Sequence, residues 1–196
     1  MFQVRVHGRG GQGVVTTAEL LSVAAFAEGR QAQAFPTFGS ERTGAPVVGF
    51  CRIDDRPIRT HEPVARPDAV IIQDATLLHQ VDVFEGLDPG GYLLINTSRS
   101  LAELGLGAFV QQLGPDRVVT VPATELALTH LGRPLPGAVL LGAFAALTGQ
   151  VQLASVLRAI EERFTGTVAA GNVAAATAAY HKVRSQIEEP ARAQTN

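Results

Sequence analysis

The chain has 196 residues, of which 46% are hydrophobic and 17% charged, so it is long and apolar enough to fold as a globular domain and is not a disordered chain. Its net charge of −2 offers no basic excess with which to bind a nucleic acid or an anionic membrane surface. Its single cysteine, Cys51, excludes an internal disulfide and an iron–sulfur cluster held by about four cysteines of this chain, and it predicts a cytoplasmic location.

Residues 2–7 (FQVRVH) alternate apolar and polar side chains, as a strand does, and lack the charged start and apolar core of a signal peptide. A glycine-rich turn follows at residues 8–13. Residues 14–28 then carry apolar side chains at helical spacing. A second strand is predicted at residues 31–35, and a loop rich in glycine, proline, serine and threonine follows at residues 36–46.

The next segment predicts a hairpin insertion, because strand-like residues 47–53 and 57–59 flank Asp54, Asp55 and Arg56. Continuous apolar runs, typical of buried parallel strands, then lie at residues 69–73, 92–96 and 118–121. Helices are predicted at residues 76–83, 101–104, 123–131, 137–148, 152–164 and 168–187. The most apolar of them, residues 137–148, falls short of the roughly 18 residues of a membrane span, so we expect a buried helix and no membrane contact.

Strands that alternate with helices indicate an α/β fold. We expect a mostly parallel, Rossmann-like sheet with flanking helices, a hairpin insertion and a helical C-terminal part. Residues 1–188 form one predicted domain, and residues 189–196 form a polar tail.

The turn after the first strand, GRGGQG at residues 8–13, contains the pattern G-x-G-x-x-G. In this pattern the first glycine makes the tight turn, the second lets the backbone approach a pyrophosphate, and the third lets the helix pack closely on the sheet. The free N–H groups and the positive end of the following helix attract phosphate. The alternative is a tight turn that binds no ligand.

Two nucleotide classes fit the turn poorly. A nicotinamide site places an acidic residue at the end of the second strand, but that strand ends Ala34, Phe35, Pro36, and Glu41 lies deep in the next loop. The turn also lacks the Gly-Lys-Ser/Thr ending of a P-loop, which argues against ATP hydrolysis.

The loop after the second strand should lie at the same sheet edge as the glycine turn, where open α/β sheets bind ligands. Arg42 is suited to a bidentate contact with phosphate or carboxylate, and Ser40 and Thr43 to a phosphate contact. Glu41 is the expected partner of Arg42. The alternative is a solvated turn with a surface Glu–Arg pair of little energetic value.

Together, the segments GRGGQG (residues 8–13) and FPTFGSERTGAP (residues 35–46) resemble the gamma subunit of 2-oxoacid:ferredoxin oxidoreductases, the pyruvate and ketoisovalerate enzymes. The similarity continues through residues 47–58, the strand that precedes Asp74, and residues 137–144 (GAVLLGAF), so it covers most of the chain.

The resemblance implies a subunit of an enzyme that oxidatively decarboxylates a 2-oxoacid to an acyl-coenzyme A on thiamine diphosphate and passes electrons to iron–sulfur clusters. It implies that this chain helps to bind coenzyme A and packs on alpha and beta subunits that bind thiamine diphosphate and Mg²⁺, with an iron–sulfur subunit in the same complex. The chain has no Gly-Asp-Gly thiamine signature, so no catalytic residue is predicted on it. The predicted ligand-binding residues are Gly8, Arg9, Gly10, Gly11, Gln12, Gly13, Phe38, Gly39, Ser40, Glu41, Arg42 and Thr43.

Two other functions stay open at this point: a stand-alone NAD(P)-dependent reductase, and a structural assembly subunit whose glycine turn binds nothing. Of the remaining polar residues, His7 is expected to be structural, Cys51 to be packed, and Asp74 to cap the helix that follows it more readily than to contact a ligand. The five histidines show no metal-binding spacing.

Overall fold

The computed structural model describes the backbone of residues 1–37, 43–114 and 116–193, and the side chains of these residues up to Glu188. Within these ranges the strands are β1 (Phe2–Arg9), β2 (Gln31–Pro36), β3 (Pro46–Asp54), β4 (Ala69–Ile72), β5 (Tyr92–Asn96) and β6 (Val118–Val121). The α-helices are α1 (Val14–Ala27), α2 (Gly107–Leu113), α3 (Ala123–Leu131), α4 (Gly137–Thr148), α5 (Leu153–Arg163) and α6 (Gly166–Ala193), and a short 3-10 helix spans Ala75–His79.

The described strands form a single mixed sheet in the order β2-β3-β1-β4-β5-β6. β1, β4, β5 and β6 are parallel neighbours, and β3 runs antiparallel to both β1 and β2. The predicted fold class, α/β with a mostly parallel sheet and a helical C-terminal part, is confirmed. The connection that leaves β1 leads to β2 at one edge of the sheet, whereas the connection that leaves β4 leads to β5 on the other side. The carboxyl ends of β1 and β4 therefore form a topological switch point, where such sheets bind ligands.

The hairpin insertion is present, but its predicted position between residues 47–53 and 57–59 is wrong. The hairpin joins β2 to β3, in register from Gln31 opposite Asp54 to Pro36 opposite Gly49. β3 is bonded to β1 on its other side, so no edge of β3 is left for residues 57–59. The Asp54 carboxylate instead accepts hydrogen bonds from the backbone of Asp55 and Arg56, which turns the chain out of the sheet.

Two hydrophobic cores lie on the two faces of the sheet. One core joins β1, β3 and the inward faces of β4–β6 to α1 and the C-terminal helices α3–α6, and α4 is buried on every side from Gly137 to Leu147. The other is smaller and joins the opposite faces of β4, β5 and β6 to residues between 75 and 113. β4 and β5 are therefore covered on both faces, which explains their continuous apolar sequences.

The helix predicted at residues 101–104 is wrong. Ser100 and Glu103 cap each other's backbone N–H groups as at a helix start, but Gly105, at φ +73°, ends the segment after one turn. The helix α2 begins only at Gly107. The short helix predicted at residues 76–83 is a 3-10 helix that ends at His79, and α6 continues through the start of the predicted tail to Ala193.

Candidate functional site

The glycine turn joins β1 to α1 at the switch point of the sheet. Gly11 and Gly13 adopt φ values of +93° and +73°, which side chains disfavour, and a Cβ at either would have no neighbouring atom of the described residues within 4 Å. Gly13 is the N-cap residue of α1, and none of the described side chains caps that helix. The turn therefore presents exposed backbone without Cβ atoms at the positive end of a helix.

The glycines divide their roles differently from the predicted pattern. The close approach of the helix occurs at Gly8 and not at Gly13, because a Cβ at Gly8 would lie 2.5 Å from Cγ2 of Val14. Gly10 is buried and joins the second loop. Its N–H donates to the carbonyl of Ala45 at 2.9 Å, and its own carbonyl accepts from the N–H of Gly44 at 3.0 Å.

The second loop is thus brought against the first, as the sequence predicts. Thr43 forms a parallel β-bridge with Gly10. Of the predicted ligand-binding residues in this loop, Phe38, Gly39, Ser40, Glu41 and Arg42 lie outside the described residues, so their role stays a prediction.

The side chains of Arg9 and Gln12 bind the protein itself. The Arg9 guanidinium donates to Asp74 Oδ2 at 3.0 Å, to the carbonyl of Gly44 at 3.0 Å, and to two side-chain oxygens beyond β4, Thr76 Oγ1 at 2.7 Å and Gln80 Oε1 at 2.9 Å. Gln12 accepts from the backbone N–H of Arg9 at 2.8 Å and donates to Asp74 Oδ2 at 2.9 Å. Both residues therefore position the turn.

Asp74 is the centre of this network. Its Oδ1 caps the 3-10 helix by accepting from the backbone N–H of Thr76 at 3.0 Å, which confirms the predicted capping role. Burial acts to raise the pKa of Asp74, but the hydrogen bonds from Thr76 and Gln12 and the charge of Arg9 outweigh it, so that the pKa is lowered. Asp74 lies 65 residues from Arg9 in the chain, so no pattern of neighbouring residues predicts that it contacts the glycine turn.

His7 and Cys51 belong to the interior. Burial raises the pKa of the Cys51 thiol to about 12, which keeps it protonated, and confirms that this residue is packed. His7 is 5% exposed, and burial, followed by the positive charge of Arg5, lowers its pKa to about 4 despite the opposing charge of Asp82.

Since His7 is neutral in the folded protein above about pH 4 and takes up a proton near pH 6.5 when unfolded, acid should favour unfolding across this window. We expect the free energy of unfolding to fall by about 3 kcal/mol between pH 6.5 and 4 on account of His7, with no further loss from this residue below pH 4. Urea denaturation of wild type and of His7→Gln across this range measures the effect. An unchanged pH slope in the variant would show that His7 is protonated when folded.

Among the described residues, no group of three or more histidine, cysteine, aspartate or glutamate side chains is placed to hold a metal ion. The described helices include none long and apolar enough to span a membrane.

Comparison with known proteins identifies the family. Residues 3–182 match the family model for pyruvate ferredoxin/flavodoxin oxidoreductase. The chain belongs to this family. The common subunit gamma of the pyruvate/ketoisovalerate oxidoreductases of Thermococcus kodakarensis is 46% identical over 184 residues, which cover 93% of this chain and 97% of that subunit. The predicted resemblance to gamma subunits is thereby confirmed.

Two solved structures show the same architecture. The pyruvate oxidoreductase subunit PORC (EC 1.2.7.1) of Thermotoga maritima is 36% identical, with a TM-score of 0.75 over 92% of this chain and 95% of that one. A 2-oxoglutarate:ferredoxin oxidoreductase of Magnetococcus marinus, determined with 2-oxoglutarate, coenzyme A and succinyl-CoA bound, matches with a TM-score of 0.69 over 95% of this chain. At 17% identity and 31% coverage of the longer chain, this second likeness shows the fold alone.

Proposed function

We propose that this chain is the gamma subunit of a thiamine-diphosphate-dependent 2-oxoacid:acceptor oxidoreductase, in which it contributes to coenzyme A binding and to assembly and performs no redox chemistry itself. The observation that carries the proposal is the glycine turn, whose exposed backbone lies at the uncapped start of α1 and at the switch point of the sheet.

The turn suits the pyrophosphate of coenzyme A. Gly11 and Gly13 are exposed and have no side chain to block a ligand, and the first backbone N–H groups of α1 have no acceptor among the described side chains. Arg9, Gln12 and Asp74 position this backbone before the ligand arrives, which lowers the cost of ordering it on binding. Thr37, the described residue that directly follows β2, is not an acidic residue, whereas a nicotinamide enzyme usually has one there to bond a ribose hydroxyl.

The oxidative chemistry is assigned to partner chains. Cys51, the single cysteine, is fully buried and protonated, so this chain offers no thiolate to a cluster. We therefore place thiamine diphosphate and Mg²⁺ on alpha and beta subunits and the iron–sulfur clusters on a further subunit. The names of the relatives, which are subunits of pyruvate oxidoreductases, support this assignment. The single, free cysteine supports the proposed cytoplasmic location.

Replacing Gly13 by alanine tests the function of the turn. The methyl group meets no atom of the part of the chain that the structure describes, so the chain can fold around it, but it lies where a pyrophosphate would approach the backbone. We expect the KM for coenzyme A in the assembled enzyme to rise about tenfold, the loss of about 1.4 kcal/mol of binding free energy. The KM for the 2-oxoacid should not change.

Gly105→Ala is the matched control, because Gly105 has the same φ of +73° and equally open surroundings but lies outside the turn. Both variants should lose about 1 kcal/mol of stability through backbone strain, and only Gly13→Ala should affect coenzyme A. A defect in assembly with an unchanged KM would favour a purely structural subunit. Oxidation of a 2-oxoacid or of NAD(P)H by the purified chain alone would contradict the proposal.

A further inference from the structure

A pocket of about 300 Å³ opens beside the glycine turn, on the helical face of the sheet. It lies between the first turns of α1, the segment that joins α3 to α4, and the junction of α5 with α6. Gln12 and Gly13 form its border with the turn. Its walls are largely apolar and include Leu20, Leu131, Leu135, Phe164 and Val168.

Two arginines, Arg133 and Arg163, are the charged residues among those that line this pocket. Arg133 is exposed and follows Gly132, which ends α3 with a φ of +70°. Arg163 is the last residue of α5, and its guanidinium lies 5.5 Å from the centre of the Phe164 ring. Within the described part of the chain, neither guanidinium has a hydrogen-bond or ion-pair partner. Two cations without a described hydrogen-bond or ion-pair partner thus flank an apolar pocket next to the turn that is proposed to bind phosphate.

The combination matches a phosphorylated nucleoside, with a planar base between apolar side chains and phosphate oxygens on arginines. We propose that the pocket binds the 3′-phosphoadenosine end of coenzyme A, with Arg133 and Arg163 contacting the 3′-phosphate. This inference rests on the proposed function of the glycine turn.

The chemistry of the molecule decides which end of coenzyme A lies here. The thiol must reach a reacting carbonyl carbon, which the proposed function places on the partner subunits that bind thiamine diphosphate, so the thiol end points away from this chain. The adenosine end, on the other side of the pyrophosphate, then falls against this chain. Farther along α1 the surface continues into a second apolar pocket of about 380 Å³, which shares Arg163 with the first pocket but lacks Arg133 and adds Glu19 and Glu162, two carboxylates that would repel a phosphate. The 3′-phosphate therefore belongs in the first pocket.

The test compares coenzyme A with 3′-dephospho-coenzyme A, which differs only in the phosphate that the arginines are proposed to bind. In the assembled enzyme, we expect the KM for the dephospho compound to be at least about tenfold higher. Arg133→Gln and Arg163→Gln together should raise the KM for coenzyme A to that of the dephospho compound and leave the latter unchanged. Arg158→Gln, an exposed arginine of α5 outside the pocket, should leave both values as they are.

The outcomes separate this inference from the function on which it rests. Equal KM values for the two compounds in wild type, or a preference that survives in the double variant, would overturn the pocket assignment, while a response to Gly13→Ala would still support the glycine turn. Failure of Gly13→Ala to affect coenzyme A would overturn the proposed function instead. Thermal melting of the double variant checks that these exposed substitutions leave the fold intact.

Discussion

Replacing Gly142 by alanine is expected to lower the free energy of unfolding by about 3 kcal/mol. Gly142 lies in the middle of α4, where this helix crosses α6, and a Cβ there would lie 2.0 Å from the carbonyl oxygen of Ala176. Backbone cannot rotate away as a flexible side chain can, so the two helices must separate and open the core between them. Helix propensity alone would make the alanine variant more stable by about 1 kcal/mol. A loss of stability would therefore show that close packing of the two helices outweighs this preference.

Gly107→Ala provides the control, because Gly107 begins α2 and a Cβ there would meet open space. We expect this variant to be as stable as wild type or slightly more so, by up to about 1 kcal/mol. Urea denaturation of the two variants and wild type measures the difference. If Gly142→Ala were as stable as Gly107→Ala, the axes of α4 and α6 would have to lie farther apart than the structure places them.

The elements that the sequence predicts correctly are those determined by neighbouring residues. The bounds of α3 and α4 agree with the prediction because each helix stops at a glycine with positive φ, Gly132 or Gly149, and those stops are local. The bounds of β5 and β6 also agree, since short apolar runs with polar flanks leave little choice of length.

The features that the sequence does not reveal depend on which strands become neighbours. Residues 57–59 have a strand-like pattern, but β3 already has a partner on each side, and that is a property of the whole sheet. Contacts at the candidate functional site also depend on how distant parts of the chain pack together. Arg9 is predicted to bind a ligand because of its place in the motif, and that stays a prediction; its pairing with Asp74 arises because β1 and β4 are adjacent, which the motif does not reveal. Arg133 and Arg163 belong to no sequence motif, and they line the same pocket only because of how the helices pack around α1.

Replacing Asp74 by asparagine is expected to disorder the glycine turn, even though the two side chains have the same shape. Oδ1 of Asp74 accepts from Thr76, and Oδ2 accepts from both Arg9 and Gln12. The side chain of asparagine has one oxygen and one NH₂ group in place of two oxygens. Its NH₂ group must therefore face either the N–H of Thr76 or the N–H groups of Arg9 and Gln12, and the donors that it faces lose their acceptor. Since charged hydrogen bonds of this kind contribute about 1.5–3 kcal/mol and the pair is only about one-fifth exposed, we expect stability to fall by about 2–3 kcal/mol.

The pH dependence distinguishes lost charge from lost packing. The pKa of Asp74 is lowered in the folded protein, so its contribution is present above the ordinary pKa of about 4 and disappears as the pH falls through the lower folded value. Wild type and Asp74→Asn should therefore differ in urea denaturation at pH 7 and converge in acid. Asp88→Asn is the control: it removes a carboxylate that accepts a hydrogen bond from one backbone N–H at 2.8 Å, and it should cost less than about 1 kcal/mol of stability.

In the assembled enzyme, Asp74→Asn should also raise the KM for coenzyme A. An unchanged KM would mean that the turn keeps its shape without Asp74.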